Sequence, residues 1–133
     1  MADLNDVYEK VKSSLIDSCG LNEEEIELEK TLMDDLGIDS IDLLDVIYSL
    51  EKQYTISIEV GELANWAANE MGDVPFEIDN VITDEGLRIL HKFIGDSQKE
   101  KIKKGMTVQE IPLLFTVRSL CNLVIKRLAD EGR

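Results

Sequence analysis

The fold of this chain is decided by one stretch, Asp35-Leu36-Gly37-Ile38-Asp39-Ser40-Ile41-Asp42. Gly37 interrupts the apolar pattern, and Asp39 and Ser40 are residue types preferred at the N-terminus of a helix. From Ser40 onward, apolar residues recur every three or four positions to about Gln53. The stretch therefore predicts a turn that is followed at once by a strong amphipathic helix.

That helix has two chemically different faces. At 100° per residue, the core-facing arc collects Leu43, Val46, Ile47, Leu50 and Tyr54, with Leu44 at its edge. The opposite arc carries Asp42, Asp45 and Ser49, and Ile41 and Tyr48 lie beside it. An acidic stripe flanked by two apolar side chains suits a docking face for a basic partner, because charge gives steering while the apolar pair gives contact area. An ordinary solvated helix face would show the same pattern.

Helical periodicity extends to most of the remaining chain. A first amphipathic helix ends near Gly20, and an acidic loop follows over residues 22–29. Further helices are expected over 60–72, 83–95 and 116–128, the last two with Thr83 and Thr116 as N-caps, and a loop is expected over 72–82. We therefore predict an all-α bundle.

The charge of the chain limits its partners. Among 133 residues, 28 are acidic and 14 are basic, for a net charge of −14. This balance argues against nucleic acid and anionic membrane surfaces, and it favours partners with basic patches. Residues 1–62 hold 17 acidic and four basic side chains, whereas residues 63–133 hold 11 and 10. A basic partner should therefore meet the first half of the chain.

The location of the protein is also predicted. The longest apolar run, residues 111–115, is too short to cross a membrane, and residues 1–6 lack the features of a secretory signal. Cys19 and Cys121 form no CxxC pair. We expect a cytoplasmic protein with no membrane insertion, whose two cysteines pack as small apolar side chains.

The sequence gives little indication of a catalytic site or a metal site. His91 is the single histidine and lies on an apolar helix face, where a packed side chain is expected. One histidine and two distant cysteines do not make a zinc site, and Ser40 lacks the glycines of a nucleophile elbow. Gly37 occupies the place where an EF-hand loop needs a calcium ligand. We expect neither a resident metal nor an enzyme. From the pattern alone, Ser40 fits ordinary capping chemistry, and it would also suit an anionic group held at a helix N-terminus.

The run of residues 32–45 resembles the acyl carrier protein family, whose members carry an Asp-Ser-Leu signature after a Leu-Gly step at the start of their second helix. The resemblance covers roughly residues 3–62 and the last helix. It implies an acyl-carrier-protein-like four-helix bundle with an extra helical insertion, within a single domain over 1–133. Residues 1–60 would form the core carrier helices, 61–115 a helical elaboration and 116–130 the last helix.

The resemblance also implies a cofactor and roles for named residues. A 4′-phosphopantetheine arm would be attached to Ser40 and would hold acyl groups as thioesters. Asp39 would cap the helix or help the modifying enzyme to organise its metal. The positions that match the family's recognition residues are Asp35, Ile41, Asp42, Asp45 and Tyr48. The positions that match the lining of its acyl-chain interior are Leu43, Ile47, Leu50 and Ile58.

The implied partners are enzymes with basic patches. They are a phosphopantetheinyl transferase (holo-acyl-carrier-protein synthase) and the acyl–acyl-carrier-protein synthetases, ketosynthases and acyltransferases of fatty-acid, lipid or polyketide-type synthesis. A monomer that catalyses no reaction itself is expected. Two alternatives stay open: a carrier of aminoacyl or aryl groups for a nonribosomal peptide synthetase, and an acidic interaction module that is never modified.

Two departures from the family are present. Ile41 replaces the usual Leu of the signature, and the chain between Ile58 and Thr116 is much longer than the family's single short helix there. This excess would enlarge the acyl pocket, present a surface to one dedicated partner, or elaborate the bundle without new activity. We hypothesise that the apolar interior beside the second helix is extended by Trp66, Met71, Phe76, Leu87, Leu90, Phe93 and Ile94.

Overall fold

A computed structural model describes residues 3–58 and 71–132. The chain divides into two compact units: unit 1 comprises Met1–Ile58 and Phe115–Arg133, and unit 2 comprises Glu59–Leu114. Unit 2 has nearly the bounds predicted for the insertion. The prediction of a single domain stays a prediction.

Helices dominate the described residues, as the sequence predicted. In chain order the elements are α1 (Leu4–Cys19), α2 (Ser40–Tyr54), β1 (Glu77–Ile78), β2 (Val81–Ile82), α3 (Asp84–Ile94) and α4 (Val117–Asp130). Short 3₁₀ helices cover Glu23–Glu25, Asp96–Gln98 and Val108–Leu114. The helix expected over 60–72 falls almost wholly outside the described residues, as does Trp66. The all-α fold class is confirmed, with one small sheet added to it.

Capping side chains fix where the helices begin. Asp3 accepts a hydrogen bond from the Asp6 amide at the start of α1. Thr83 caps α3 through the Gly86 amide. Thr116 and Ser119 form a reciprocal capping box at the start of α4. Each of these contacts pairs a backbone donor that the first turn of a helix leaves without an internal partner.

The core of unit 1 lies where α1 packs against α2 and α4. Its helical members are Val7, Val11, Leu15, Val46, Leu50, Val117, Leu120, Cys121, Val124 and Leu128. The connecting segments add Ile26, Leu32, Leu36, Ile38, Ile56 and Ile58. The long connection between α1 and α2 is thus anchored at four points along its length by buried aliphatic side chains.

This connection is also bonded to the beginning of α4. The Leu32 amide donates to the Phe115 carbonyl at 2.9 Å, and the Val117 amide donates to the Lys30 carbonyl at 3.0 Å. Arg118 adds an ion pair with Glu29. The segment that leads to α2 is therefore held in place from both sides.

In unit 2, the loop expected over 72–82 contains a β-hairpin. Glu77 pairs with Ile82, and Ile78 pairs with Val81. Asp79 and Asn80 form the turn with φ angles of 50° and 76°, a conformation that these two residue types tolerate better than most. Strands of two residues are too short to show an alternating pattern, so the sequence analysis missed them.

Gly86 lets α3 lie close to this hairpin. A Cβ atom at this position would collide with the Phe76 carbonyl oxygen and the Ile82 side chain. Within unit 2, Phe76 packs against the buried side chains of Met71 and Ile89. Leu90, Phe93 and Ile94 are buried as well. Whether these residues extend an interior beside α2 stays a prediction.

Candidate functional site at the start of α2

The loop before α2 turns sharply between two buried side chains. Leu36 and Ile38 are 9% and 3% exposed, and Gly37 between them has a φ of 69°. A left-handed residue is needed here so that both neighbours can point into the core, and glycine adopts that conformation without strain. Because Ile38 is fixed in the core, the next residues are directed to the surface.

Thr31 and Asp35 brace the same loop. The Asp35 carboxylate accepts a hydrogen bond from the Thr31 amide, and the Thr31 hydroxyl accepts one from the Asp35 amide, both at 2.9 Å. Asp35 is exposed, so its carboxylate also faces solvent. The contact gives Asp35 a structural role that the sequence analysis did not foresee, and its role in partner recognition stays a prediction.

Asp39 and Ser40 begin α2. The backbone of Asp39 is extended, and its carboxylate accepts a hydrogen bond from the Asp42 amide at 2.8 Å. Capping by Asp39 is therefore observed. Ser40 is the first helical residue and is exposed, at the positive end of the helix dipole. Its hydroxyl is accessible to an enzyme, and an esterified phosphate would lie near the first-turn amides, an arrangement favourable for an anion.

Three apolar side chains point outward from α2. Ile41, Leu44 and Tyr48 are 70%, 56% and 60% exposed. They follow one another at spacings of three and four residues, so they form one continuous stripe, which we call the α2 stripe. The sequence analysis found Ile41 and Tyr48 but placed Leu44 at the edge of the core, which is wrong. The regular spacing from Ile41 to Tyr48 was the signal that could have found it.

Charged residues border the α2 stripe unevenly. Asp39 and Asp45 are exposed and Asp42 is half-buried, all within the first two turns. At the other end, the Lys52 ammonium lies 4.9 Å from the centre of the Tyr48 ring. The negative charge that could steer a basic partner is therefore concentrated beside Ser40.

Ser49 lies against α1, although the helical wheel put it on the solvated arc. Its hydroxyl is 3.2 Å from the Ser14 hydroxyl, and the Gln53 amide donates to both, at 2.7 Å to Ser14 and 3.1 Å to Ser49. Ser14 is 1% exposed. The wheel missed this contact because a small polar residue can face a buried hydroxyl on the neighbouring helix as readily as water.

The candidate acyl-lining residues lie on the inner side of α2. Leu50 and Ile58 are buried, while Leu43 and Ile47 are half-buried and pack against the core of unit 1. The Glu51 carboxylate accepts a hydrogen bond from the Ile58 amide at 2.9 Å, which fixes Ile58 below the end of α2. These contacts place all four side chains in one apolar region, and their part in holding an acyl chain stays a prediction.

Both cysteines are free thiols. Burial raises the pKa of Cys19, and the carboxylates of Asp42, Asp45 and Asp39 raise it further. Burial raises the pKa of Cys121 to about 12. At neutral pH both thiols stay protonated and are therefore poor nucleophiles.

His91 does not pack in the core as expected. Its side chain is 44% exposed in the last turn of α3, and its Nε2 atom lies 2.9 Å from Asp96 Oδ1. Across residues 3–58 and 71–132, no three His, Cys, Asp or Glu side chains are grouped in a way that would hold a metal ion. The helices in these ranges are also too short or too polar to span a bilayer.

Comparison with known proteins finds relatives for the part of the chain that contains this site. Residues 9–69 match the family model described as "Phosphopantetheine attachment site". The acyl carrier protein of Clostridium acetobutylicum is 37% identical over 68 residues, which are 51% of this chain and 86% of that protein. The acyl carrier protein of Thermotoga maritima is 31% identical over 74 residues, which are 56% of this chain and 89% of that protein.

Proposed function

Because the chain belongs to the acyl carrier protein family, we propose that Ser40 is the residue to which its cofactor is attached, and that it serves as a discrete acyl carrier in fatty-acid, lipid or polyketide-type synthesis. The cofactor of this carrier is 4′-phosphopantetheine, which is held covalently. As a member of this family, the chain carries the cofactor-bound group while other enzymes catalyse the reactions.

The position of Ser40 is the observation that carries the proposal. Among the described serines, Ser40 stands at the first position of a long helix, exposed and beside a capping carboxylate. The residues around it fit a phosphate ester, since Asp39 pairs with the Asp42 amide and the first turn still presents the positive end of the helix dipole. Leu36 and Ile38 keep the turn fixed while an enzyme approaches.

The attachment reaction uses Ser40 as the nucleophile. Its hydroxyl oxygen would form a bond to the phosphorus that bears the pantetheine group of coenzyme A, and adenosine 3′,5′-bisphosphate would leave. The hydroxyl proton would pass to a base on the transferase. Asp39 lies next to the reacting oxygen in sequence and is exposed, so we propose that it also faces the metal of that enzyme.

Once attached, the arm supplies a thiol on which an acyl group is held as a thioester. The chain contributes the surface that partner enzymes bind. We propose that Asp35, Asp42 and Asp45 steer basic enzymes toward Ser40, and that the α2 stripe supplies the apolar contact after they arrive. Leu44 joins Ile41 and Tyr48 in this role because more than half of its surface is exposed and it lies between them.

The proposed partners are a phosphopantetheinyl transferase of the holo-acyl-carrier-protein synthase type and the synthetases, ketosynthases and acyltransferases that load and use acyl groups. We propose that the protein meets them as a monomer in the cytoplasm. The dense negative charge beside Ser40 favours an acyl carrier over a carrier of aminoacyl or aryl groups, which remains the second candidate.

Modification of purified protein tests the site. The full chain is incubated with coenzyme A and a phosphopantetheinyl transferase, and its intact mass is measured. We expect the mass to rise by one phosphopantetheine group in the native chain and in Ser57→Ala, which alters another exposed serine of unit 1. Ser40→Ala should show no rise. A modified Ser40→Ala protein would refute the assignment, and an unmodified native chain would favour the acidic interaction module.

The cargo is tested separately on protein isolated from its native cell. The thioester-bound group is released with hydroxylamine and identified by mass spectrometry. We expect a fatty acyl or polyketide-type acyl group. An amino acid or an aryl acid would overturn the acyl assignment and leave the attachment at Ser40 standing.

A further inference from the structure

Unit 2 exposes an apolar surface on its β-hairpin. Ile78 and Val81 are opposite each other in the hairpin and are 58% and 40% exposed. Val81 also forms a bridge with Thr107, so the three side chains lie in a row on one side of a small sheet. We call this row the hairpin face. On the opposite side, Ile82 is 3% exposed.

The hairpin face is held by several bonds at its turn. Asn80 exchanges two side-chain hydrogen bonds with Gln109, and the Asn80 amide donates to the Glu77 carboxylate at 2.6 Å. The Val108 amide donates to the Asn80 carbonyl at 3.1 Å. Exposed apolar side chains on a rigid support lose little entropy when a partner covers them, which is a property of binding surfaces.

The segments that form the hairpin face are rich in acidic residues, although Arg88 pairs with Glu85, and Lys103 and Lys104 directly precede the second segment. Residues 71–87 and 105–114 contain six carboxylates and no Lys or Arg. These carboxylates belong to Asp73, Glu77, Asp79, Asp84, Glu85 and Glu110. A cationic surface would be attracted to this part of unit 2, and an anionic lipid surface would be repelled.

We propose that the hairpin face is a docking surface for a partner protein that presents an apolar pocket rimmed by Lys and Arg. The negative surroundings select the cationic rim, and Ile78 and Val81 would enter the pocket. A second copy of this chain would bring the same carboxylates against one another, so it is a poorer occupant than a cationic partner. The proposal is independent of the attachment at Ser40.

Cross-linking in the native cell tests the proposal. A photo-activatable amino acid replaces Ile78 in the full chain, and the cross-linked peptides are identified by mass spectrometry. We expect another protein to be captured through a contact peptide that contains both apolar residues and Lys or Arg. Any of four results would overturn the proposal: no product, a product with lipid or a second copy, a product within residues 59–70 of the same chain, or a contact site without Lys or Arg.

Two variants, each made in the chain that carries the photo-activatable residue at position 78, separate the contribution of charge from that of apolar contact. Asp79→Asn removes one charge and keeps a residue that tolerates the positive φ of the turn, while Val81→Thr keeps the β-branched shape and removes apolar surface. We expect each to lower the cross-link yield by roughly threefold or more. Glu100→Gln, an equal charge loss at an exposed position outside the hairpin, should leave it unchanged.

Folding and carrier function are checked on the same variants. Each should still be modified at Ser40 at the native rate, which shows that unit 1 is intact. Equal cross-link yields from Asp79→Asn, Val81→Thr and the native sequence would refute the hairpin face as a docking surface, whatever the result at Ser40.

Discussion

The α2 stripe and the hairpin face have similar chemistry and different origins. Both expose aliphatic or aromatic side chains next to carboxylates. The stripe follows the 3.6-residue period of a 15-residue helix, whereas the hairpin face depends on two strands of two residues each and on a bridge to Thr107. The first could therefore be seen in the sequence, and the second required the structure.

The two surfaces also differ in how their charge is arranged. Along α2, the carboxylates of Asp39, Asp42 and Asp45 lie near Ser40, and Lys52 covers Tyr48 at the far end. In the hairpin unit, residues 71–87 and 105–114 contain six carboxylates and no Lys or Arg, and Arg88, Lys103 and Lys104 directly adjoin them. The stripe thus gives a partner an orientation relative to Ser40, and the hairpin face gives attraction without an evident direction.

The largest expected effect concerns the charge on α2. Asp42→Lys combined with Asp45→Lys should lower the kcat/KM of the phosphopantetheinyl transferase by about 100-fold at low ionic strength, because steering by opposite charge is lost. The loss should shrink as salt is added, since salt screens exposed charges over about 10 Å at 0.1 M. Steady-state kinetics at several salt concentrations measure both effects.

The matched control changes net charge by the same amount elsewhere in unit 1. Asp17→Lys combined with Glu24→Lys alters two exposed carboxylates on α1 and the acidic loop. This control should lower kcat/KM by much less than the α2 pair. Equal losses in the two double variants would mean that net charge, and not the position beside Ser40, guides the transferase.

A smaller effect is expected for the apolar part of the α2 stripe. Leu44→Ala should lower kcat/KM by about tenfold through lost contact area, with a stability change within about 0.5 kcal/mol. Leu50→Ala on the inner side of the same helix should instead cost about 2–5 kcal/mol of the unfolding free energy. Transferase kinetics and urea unfolding of both variants measure the two effects, on kcat/KM and on the unfolding free energy.

A large loss of stability without a change in kinetics would show that Leu44 is a core residue. If Leu44→Ala destabilises the protein as strongly as Leu50→Ala and leaves the kinetics of the stable fraction unchanged, the stripe reduces to Ile41 and Tyr48. Those are the two residues that the sequence analysis assigned to it.

The sequence predicted unit 1 well for a physical reason. Long amphipathic helices repeat their pattern over several turns, and caps such as Asp39 and Thr116 mark their first residues. Leu44 was misplaced because it lies at the boundary of the apolar arc, where a small rotation of the helix decides burial. The contact between Ser49 and Ser14 was missed because hydroxyl groups satisfy one another across helices in ways that no period records.

Unit 2 was harder to predict because its order depends on contacts between distant residues. Asn80 pairs with Gln109, and Val81 bridges to Thr107. Its one long described helix, α3, was predicted from its apolar period and from Thr83. The hairpin gave only the Asp79-Asn80 pair as a signal, and that pair is common in loops as well as in turns.

The turn of the hairpin gives a third prediction. Asn80→Ala should destabilise the hairpin by about 1–2 kcal/mol, because alanine tolerates the φ of 76° poorly and cannot pair with Gln109. Hydrogen exchange at the amides of Ile82 and Val108, which are bonded to neighbouring segments, should become faster. The amides of α2 should exchange as before.

Asn80→Gly separates the two causes, because glycine keeps the backbone conformation and loses only the side-chain bonds. It should fall between Asn80→Ala and the native chain. Equal exchange rates in all three proteins would show that the turn does not depend on residue 80. The Asn80 contacts could then no longer be said to hold the hairpin face rigid.

The smallest effect is expected where the two surfaces are tested against each other. Ile78→Thr combined with Val81→Thr should change the kcat/KM of the phosphopantetheinyl transferase by less than about twofold, since surface substitutions away from a binding site are usually near neutral. The measurement uses the assay applied to Leu44→Ala, so the two surfaces are compared on one scale. A tenfold loss of kcat/KM in the double variant would show that the transferase also depends on the hairpin face. The α2 stripe and the hairpin face could then not be assigned to different partners.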